Sequence, residues 1–200
     1  MEVGKMKSAI LNKSSIGIVI VGVIAIILFA GYHLQKSNNA SDEAPQVIHG
    51  SLSLSEEFHS IKELRDRAEL IALVSVKNAK PLSVANATFT LSESEIVKVF
   101  KGKPSKSVIN ILETGGIDEK GRMVVFDENP VFRKNEQAIV FLERYVGNVA
   151  DDAYVILGVY QGKFIIDDQD KIIPPKNVSE KLVSITSRNE LLKLLNTEQS

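Results

Sequence analysis

The chain has 200 residues, a formal net charge of −1, no cysteine and no tryptophan. The missing cysteine excludes a disulfide scaffold, a thiolate metal centre and an acylated lipoprotein. Residues 1–36 hold four of the 24 basic and one of the 25 acidic side chains, so the remainder carries 20 against 24, or −4, which excludes the electrostatic footprint of a nucleic-acid binder.

Residues 16–34, from Ile16 to Leu34, form an apolar run with no charged side chain between Lys13 and Lys36. A helix over this run would span about 28 Å at 1.5 Å per residue, close to the hydrocarbon thickness of a bilayer. Lys5, Lys7 and Lys13 precede it against the single acid Glu2. The positive-inside rule therefore puts residues 1–15 in the cytoplasm and sends the C-terminal portion across the cell membrane. The alternative is a cleaved signal peptide and a secreted product. Such a peptide has an apolar core of about 7–15 residues ending in Ala-x-Ala, whereas Leu28 and Asn38 stand two residues before Ala30 and Ala40. The reading is a single-pass signal-anchor whose first partner is the lipid bilayer, through residues 16–34. Gly17 and Gly22 do not make a Gly-x-x-x-Gly pair, so no helix dimer is signalled. An exported domain without disulfides fits a bacterial cell envelope.

Residues 35–51, polar and containing Pro45 and Gly50, read as a stalk. Residues 52–200 then suit one extracytoplasmic domain with a single core. Its first predicted element is a helix. Ser53-Leu54-Ser55-Glu56 has the form of a capping box, and Phe58, Ile61, Leu64 and Ala68 make one apolar stripe at helical spacing. Leu70 to Val76 is a β-branched, apolar strand, broken at Asn78-Ala79-Lys80-Pro81. A long extended segment runs from Ala87 to Phe100. Phe89 and Leu91 share parity with Val97 and Val99, and Glu93 and Glu95 interrupt that apolar face, so a bulge is expected around Ser92 to Ser94.

Lys101-Gly102-Lys103-Pro104 turns the chain into the strand Ser107 to Leu112. Gly115-Gly116 ends it, and Arg122 to Phe126 is the next strand. Gln137 to Leu142 is almost continuously apolar, which predicts a central strand covered on both faces. Ala153 to Tyr160 follows, and Gly162 to Ile173 makes a hairpin around Asp167-Asp168-Gln169-Asp170. Ser187-Arg188-Asn189-Glu190 opens a short helix that should bury Leu191, Leu192, Leu194 and Leu195. Short strands, Gly-rich turns and helices only at the ends predict a mainly β domain. The expected form is a small antiparallel, OB-like β-barrel flanked by one helix at each end, with a β-sandwich as the alternative.

Three stretches carry a resemblance: Ala68 to Val76, Thr88-Phe89-Thr90 with Glu95 to Gly102, and Asn135 to Leu142. Their order is similar to a group of uncharacterised exported bacterial domains. It also resembles, more loosely, the netrin-like modules of tissue inhibitors of metalloproteinases, whose fold is an OB-type barrel. The likeness spans Glu56 to Phe164 and implies a fold. It implies no inhibitory residue, because the N-terminal cysteine those inhibitors place on a catalytic metal is missing here.

The chemistry-bearing residues are few. His33, His49 and His59 lack metal-ligand spacing. No Gly-x-Ser-x-Gly or comparable nucleophile motif occurs. Glu93 and Glu95, two apart on a strand, would set carboxylates about 6.5–7 Å apart, a spacing inverting glycosidases use. A solvated strand face is the simpler account. Asp167, Asp168 and Asp170 offer oxygens to a hard cation, but a turn accounts for them equally. Thr114-Gly115-Gly116 and Lys101-Gly102 lack the Gly-Lys-Ser/Thr and helix of a phosphate loop.

The expected function is that of a non-enzymatic binding or accessory domain of the envelope, with no catalytic, cofactor or metal residues and no nucleic-acid partner. Another envelope protein is the expected partner, contacted through exposed residues of the segment Ile117 to Arg133. The alternatives are an envelope protease inhibitor or immunity-type protein, and a small hydrolase using Glu93 and Glu95.

Overall fold

The computed structural model describes residues 46–196. The expected cytoplasmic segment 1–15, the expected anchor 16–34 with His33, and the expected stalk up to residue 45 lie outside the described residues. Among the described residues, no helix is long and apolar enough to cross a membrane.

The domain is mainly β. The central strand β7 (Gln137–Arg144) pairs along one edge with β2 (Leu70–Val84), from Ser75↔Gln137 to Leu70↔Leu142. Its other edge is shared. Gln137 to Val140 face β9 (Lys163–Ile166), and Leu142 to Arg144 face β8 (Ala153–Ile156). From β2 the sheet continues through β3 (Ala87–Lys101) and β4 (Val108–Thr114) to β8, which returns to β7 and closes a five-membered ring. The closure corrects the sandwich alternative. It also corrects the expectation of a wholly antiparallel barrel, because β4 and β8 run parallel, with Ile111↔Tyr154 in register. Five strands cannot alternate direction all the way round a ring, so one neighbouring pair must run parallel.

A second, three-stranded sheet has the order β1-β6-β5: β1 (Val47–Gly50), β6 (Met123–Phe126) and β5 (Gly116–Ile117). Val47–Gly50 was expected to be the end of the stalk at residue 51. It is instead a strand parallel to β6, and its alternating burial follows that pairing.

Helix α1 (Ile61–Arg67) starts later than expected. Its N-cap is Ser60, whose Oγ accepts from the Glu63 amide at 3.3 Å, while the Glu63 carboxylate accepts from the His59 amide at 2.7 Å. The working capping box is therefore Ser60-x-x-Glu63 rather than Ser53-x-x-Glu56. The backbone bond to His59 holds the exposed Glu63 carboxyl below the usual carboxylate range. The expected stripe is correct in detail, since Phe58, Ile61, Leu64 and Ala68 are all buried. At the other end there are two helices where one was expected, α2 (Glu180–Val183) and α3 (Arg188–Asn196). Leu191 and Leu195 are buried as foreseen, but Leu194 is exposed. The short β10 (Ile172–Ile173) closes the hairpin with β9.

The run in β7 is covered on both faces. Ala138, Val140 and Leu142 point into the ring with Leu70, Ala72 and Val74 of β2, whereas Ile139 and Phe141 lie under α1 and the C-terminal helices with Ile71, Leu64, Leu182 and Leu191. The expectation for β3 needs correction. Thr90, Ser92 and Ser94 are the buried positions, while Val97 and Val99 are exposed. Register shifts leave Val97 and Phe100 as extra residues on β3 and Lys77 as the extra residue on β2. None of the odd positions from Phe89 to Val99 is buried, so the face carrying Phe89, Leu91, Val97 and Val99 is the outer one. Small hydroxyls suit the inner position because the close-packed ring leaves no room there. A Cβ on Gly116 would already lie 2.0 Å from Thr90 Oγ1.

Pro81 does not break β2. From Asn78 to Val84 that strand is paired with β3 alone, and an unpaired edge is where a strand tolerates proline. Ala85 and Asn86, with φ of 49° and 68°, make the hairpin tip. Gly102 has φ +91°, and a Cβ there would sit 2.3 Å from the Glu69 backbone oxygen. Gly102→Ala is expected to cost about 2–4 kcal/mol, from left-handed strain together with overpacking. The check is the midpoint of urea unfolding, which should fall without a change in slope.

Candidate functional site

One face of the β1–β6 pair forms the floor of an open groove of about 600 Å³. Strand alternation puts Val47 and His49 on the same face, and the register sets Val47 beside Met123 and His49 beside Val125. With Pro130 these residues make a mostly apolar floor, of which Val47 is half exposed. The rim is polar: Asp127, Glu128, Arg133, Lys176 and Asn177.

The rim is held by side-chain amides that stand in for a strand ladder. Asn129 donates from Nδ2 to the Lys176 carbonyl at 2.9 Å and accepts from the Lys176 amide at 2.8 Å through Oδ1. Asn177 Nδ2 donates to the Asp127 carbonyl at 2.9 Å. Asp127, Glu128 and Asn177 all have positive φ, a conformation that Asn and Asp tolerate better than most residues. Asp127 Oδ2 accepts from the Leu52 amide at 3.1 Å, which fixes the chain leaving β1. Glu128 pairs loosely with Lys176 at 3.3 Å, an exposed contact of small energy. The Arg133 amide donates to Glu136 Oε2 at 2.9 Å, while its guanidinium makes no ion pair among the described residues and stands exposed on the rim.

Beneath the rim lies a buried ion pair, Lys163 with Glu113, at 2.7 Å and with side-chain exposures of 6% and 4%. Glu113 is on the inner face of β4 with Ile109 and Ile111; Lys163 is on β9 opposite Val140. Lys163 Nζ also donates to the Pro130 carbonyl at 2.7 Å and lies 4.9 Å from the Phe132 ring centroid. Glu113 Oε2 accepts from the Phe132 amide at 3.0 Å and distantly from Ser92 Oγ at 3.4 Å. No buried side-chain nitrogen or oxygen among the described residues lacks a partner. The pair thus latches the loop residues 130–132 onto the ring, and they carry the floor residue Pro130 and lead directly into the rim residue Arg133.

Tyr160 braces the same loop by a hydrogen bond to Asp127. Burial, then the Asp127 charge, pushes its hydroxyl up to about 12 from 10.0. The raised value means the folded state keeps a proton that the unfolded chain releases. That contribution to stability is complete below pH 10 and is lost as pH rises towards about 12. Alkaline unfolding midpoints should therefore fall over that window in the native chain, and fall less in Tyr160→Phe. Near-ultraviolet titration should show a tyrosine ionising near the top of it.

The residues singled out in the sequence fall elsewhere or into plainer roles. Glu93 and Glu95 share an exposed face of β3, and Glu95 pairs with Lys77 at 2.6 Å. His59 is exposed at the start of α1; His49 is on the groove floor. Asp167 Oδ1 accepts from the Gln169 and Lys171 amides at 2.9 and 2.8 Å, and Asp170 pairs with Arg188, so these carboxylates serve the hairpin turn. Gly115 and Gly116 have φ of 110° and 107° and join strands, and Lys101 Nζ caps carbonyls of Arg65 and Asp66. Of the segment Ile117 to Arg133, Met123, Val125, Asp127, Glu128, Pro130 and Arg133 line the groove, whereas Asp118 is taken up by the Arg122 guanidinium and the Lys120 and Arg122 amides, which hold its carboxyl below the usual range.

Sequence reasoning missed Glu113 and Lys163. A signal existed: Glu113 shares parity with Ile109 and Ile111, a charge on an otherwise apolar face. No protein-family model, curated protein or solved structure matches this chain.

Proposed function

We propose that this chain is a membrane-anchored, extracytoplasmic, non-enzymatic domain of a bacterial cell envelope, and that it binds another envelope component through the β1–β6 groove. What carries the reading is the groove itself: an apolar floor, a rim fixed by Asn129 and Asn177, and an exposed guanidinium, Arg133. Preformed concavities with few, fixed polar groups are the usual form of binding sites. The anchor rests on residues 16–34 and on the lysines before them.

We further read the ring as an OB-type barrel. Counted in chain order, its members neighbour one another as first, second, third, fifth, fourth and back to first, with the parallel pair between third and fifth. A five-stranded barrel of this kind binds through one strand face and its loops, without any catalytic apparatus.

The test is a pull-down from solubilised envelopes with the tagged full-length chain, set beside Val125→Asp, Arg133→Glu and the two combined. The reading expects a partner recovered by the native chain and lost with the combined variant. Equal recovery by both would place the contact elsewhere. Carbonate extraction should leave the chain in the membrane fraction, and external protease should remove its C-terminal part.

A further inference from the structure

Among the described residues, the outer edge of β1 has no strand partner. Met123 and Asp127 donate their amides to the carbonyls of Gln46 and Gly50. In a parallel ladder the residues bonded to one neighbour alternate, so Gln46, Ile48 and Gly50 turn their backbone groups towards β6. Val47 and His49 turn theirs the other way, where β1 has no further strand among the described residues. The same two residues point their side chains onto the groove floor.

Open edges are ordinarily guarded. The unpaired edge of β2 carries Lys77, Lys80 and Pro81, and β10 is only two residues long, flanked by the Lys171–Ser187 bridge. Val47-Ile48-His49-Gly50 contains no proline, lysine or acid. An unguarded edge beside an apolar floor is the arrangement used to capture an extended peptide.

We propose that β1 accepts an extended segment of a partner polypeptide as an added strand. Alternate side chains of that segment would lie on the groove face beside Val47 and His49, apolar ones against Val47 and a long acidic one reaching towards Arg133. The proposal rests on the reading of the groove as the binding surface and adds the chemistry of the partner. The acidic preference follows from the partners already taken: Glu128 pairs with Lys176, and Asp127 is engaged by the Leu52 amide and the Tyr160 hydroxyl, which leaves the Arg133 guanidinium as the rim group without a side-chain partner among the described residues, open to an incoming carboxylate.

The experiment uses the full-length chain in detergent micelles and the fluorescent peptide Thr-Val-Thr-Glu-Thr-Val-Thr. Two methylated copies carry N-methyl groups either on the Thr nitrogens or on the Val and Glu nitrogens. A strand on an edge turns only one of these sets towards its neighbour. One copy should therefore lose about fivefold in affinity per methylated amide, and the other should bind nearly as the parent does. Equal loss with both copies, or loss with neither, would overturn strand addition while leaving groove binding standing. Exchanging Glu for Lys, or Arg133→Glu in the protein, should each weaken binding about tenfold. His49→Pro removes an outward amide and should abolish the asymmetry between the methylated copies. Should that variant fail to fold, the copies and Arg133→Glu still decide. If no peptide binds while the pull-down still depends on the groove, strand addition is wrong and the binding reading survives.

Discussion

Glu113→Ala is expected to destabilise the domain by about 3–5 kcal/mol, the usual cost of leaving a buried charge without its partner. Lys163, 5% exposed, would keep only the Pro130 carbonyl, and the Phe132 amide would lose its acceptor. Lys163→Met should cost a similar amount, because it strands the carboxylate instead. The double variant Glu113→Leu with Lys163→Met should cost much less than the sum, since replacing a buried pair by apolar side chains of similar volume is often close to neutral. It should not recover fully. The backbone groups of Pro130 and Phe132 would have no partner in the ring, so the loop and the groove wall would loosen although the barrel held. Urea unfolding measures the cycle, and hydrogen exchange at the Phe132 amide reports the loop. Additive costs would mean that the two charges are not coupled.

Phe141→Ala is expected to cost about 3–5 kcal/mol, from lost transfer energy and the cavity left behind. Phe141 is fully buried, meets Phe164 edge-on with centroids 5.8 Å apart, and joins β7 to the layer of α1 and the C-terminal helices. The loss should appear as a lower urea midpoint. It should leave the Lys163–Glu113 latch intact, because that pair lies on the opposite face of β7, inside the ring. A variant that lost groove binding as readily as it lost stability would show that the two faces of β7 are not independent.

These two sites differ in how far the sequence discloses them. Phe141 sits in a run from Ala138 to Leu142 with no polar interruption, and such a run has one economical use, a strand with covered faces. The burial of Phe58, Ile61, Leu64 and Ala68 was equally legible, although the helix is capped at Ser60 and not at the Ser53 box read from the sequence. The ion pair was hard to see because its members are 50 residues apart and the ring closure alone brings them together. The same holds for the groove. Val47-Ile48-His49-Gly50 has no periodicity long enough to mark a strand, and its partner β6 lies more than 70 residues away. Parity misled in β3, where the face carrying Phe89, Leu91, Val97 and Val99 is the outer one and the small hydroxyls of Thr90, Ser92 and Ser94 lie within. Local pattern therefore gave the elements, while contacts distant in sequence gave the site.

The claim that matters most is that binding occurs at the β1–β6 groove of an anchored domain. It is tested most directly by photocrosslinking in intact cells, with benzoylphenylalanine placed at Val47 in one full-length chain and at Val97, an equally exposed valine on β3, in another. The expected result is a discrete adduct from the groove position, absent from the β3 position and lost when Arg133→Glu is added. Adducts of equal yield from both positions, or from the β3 position alone, would contradict it.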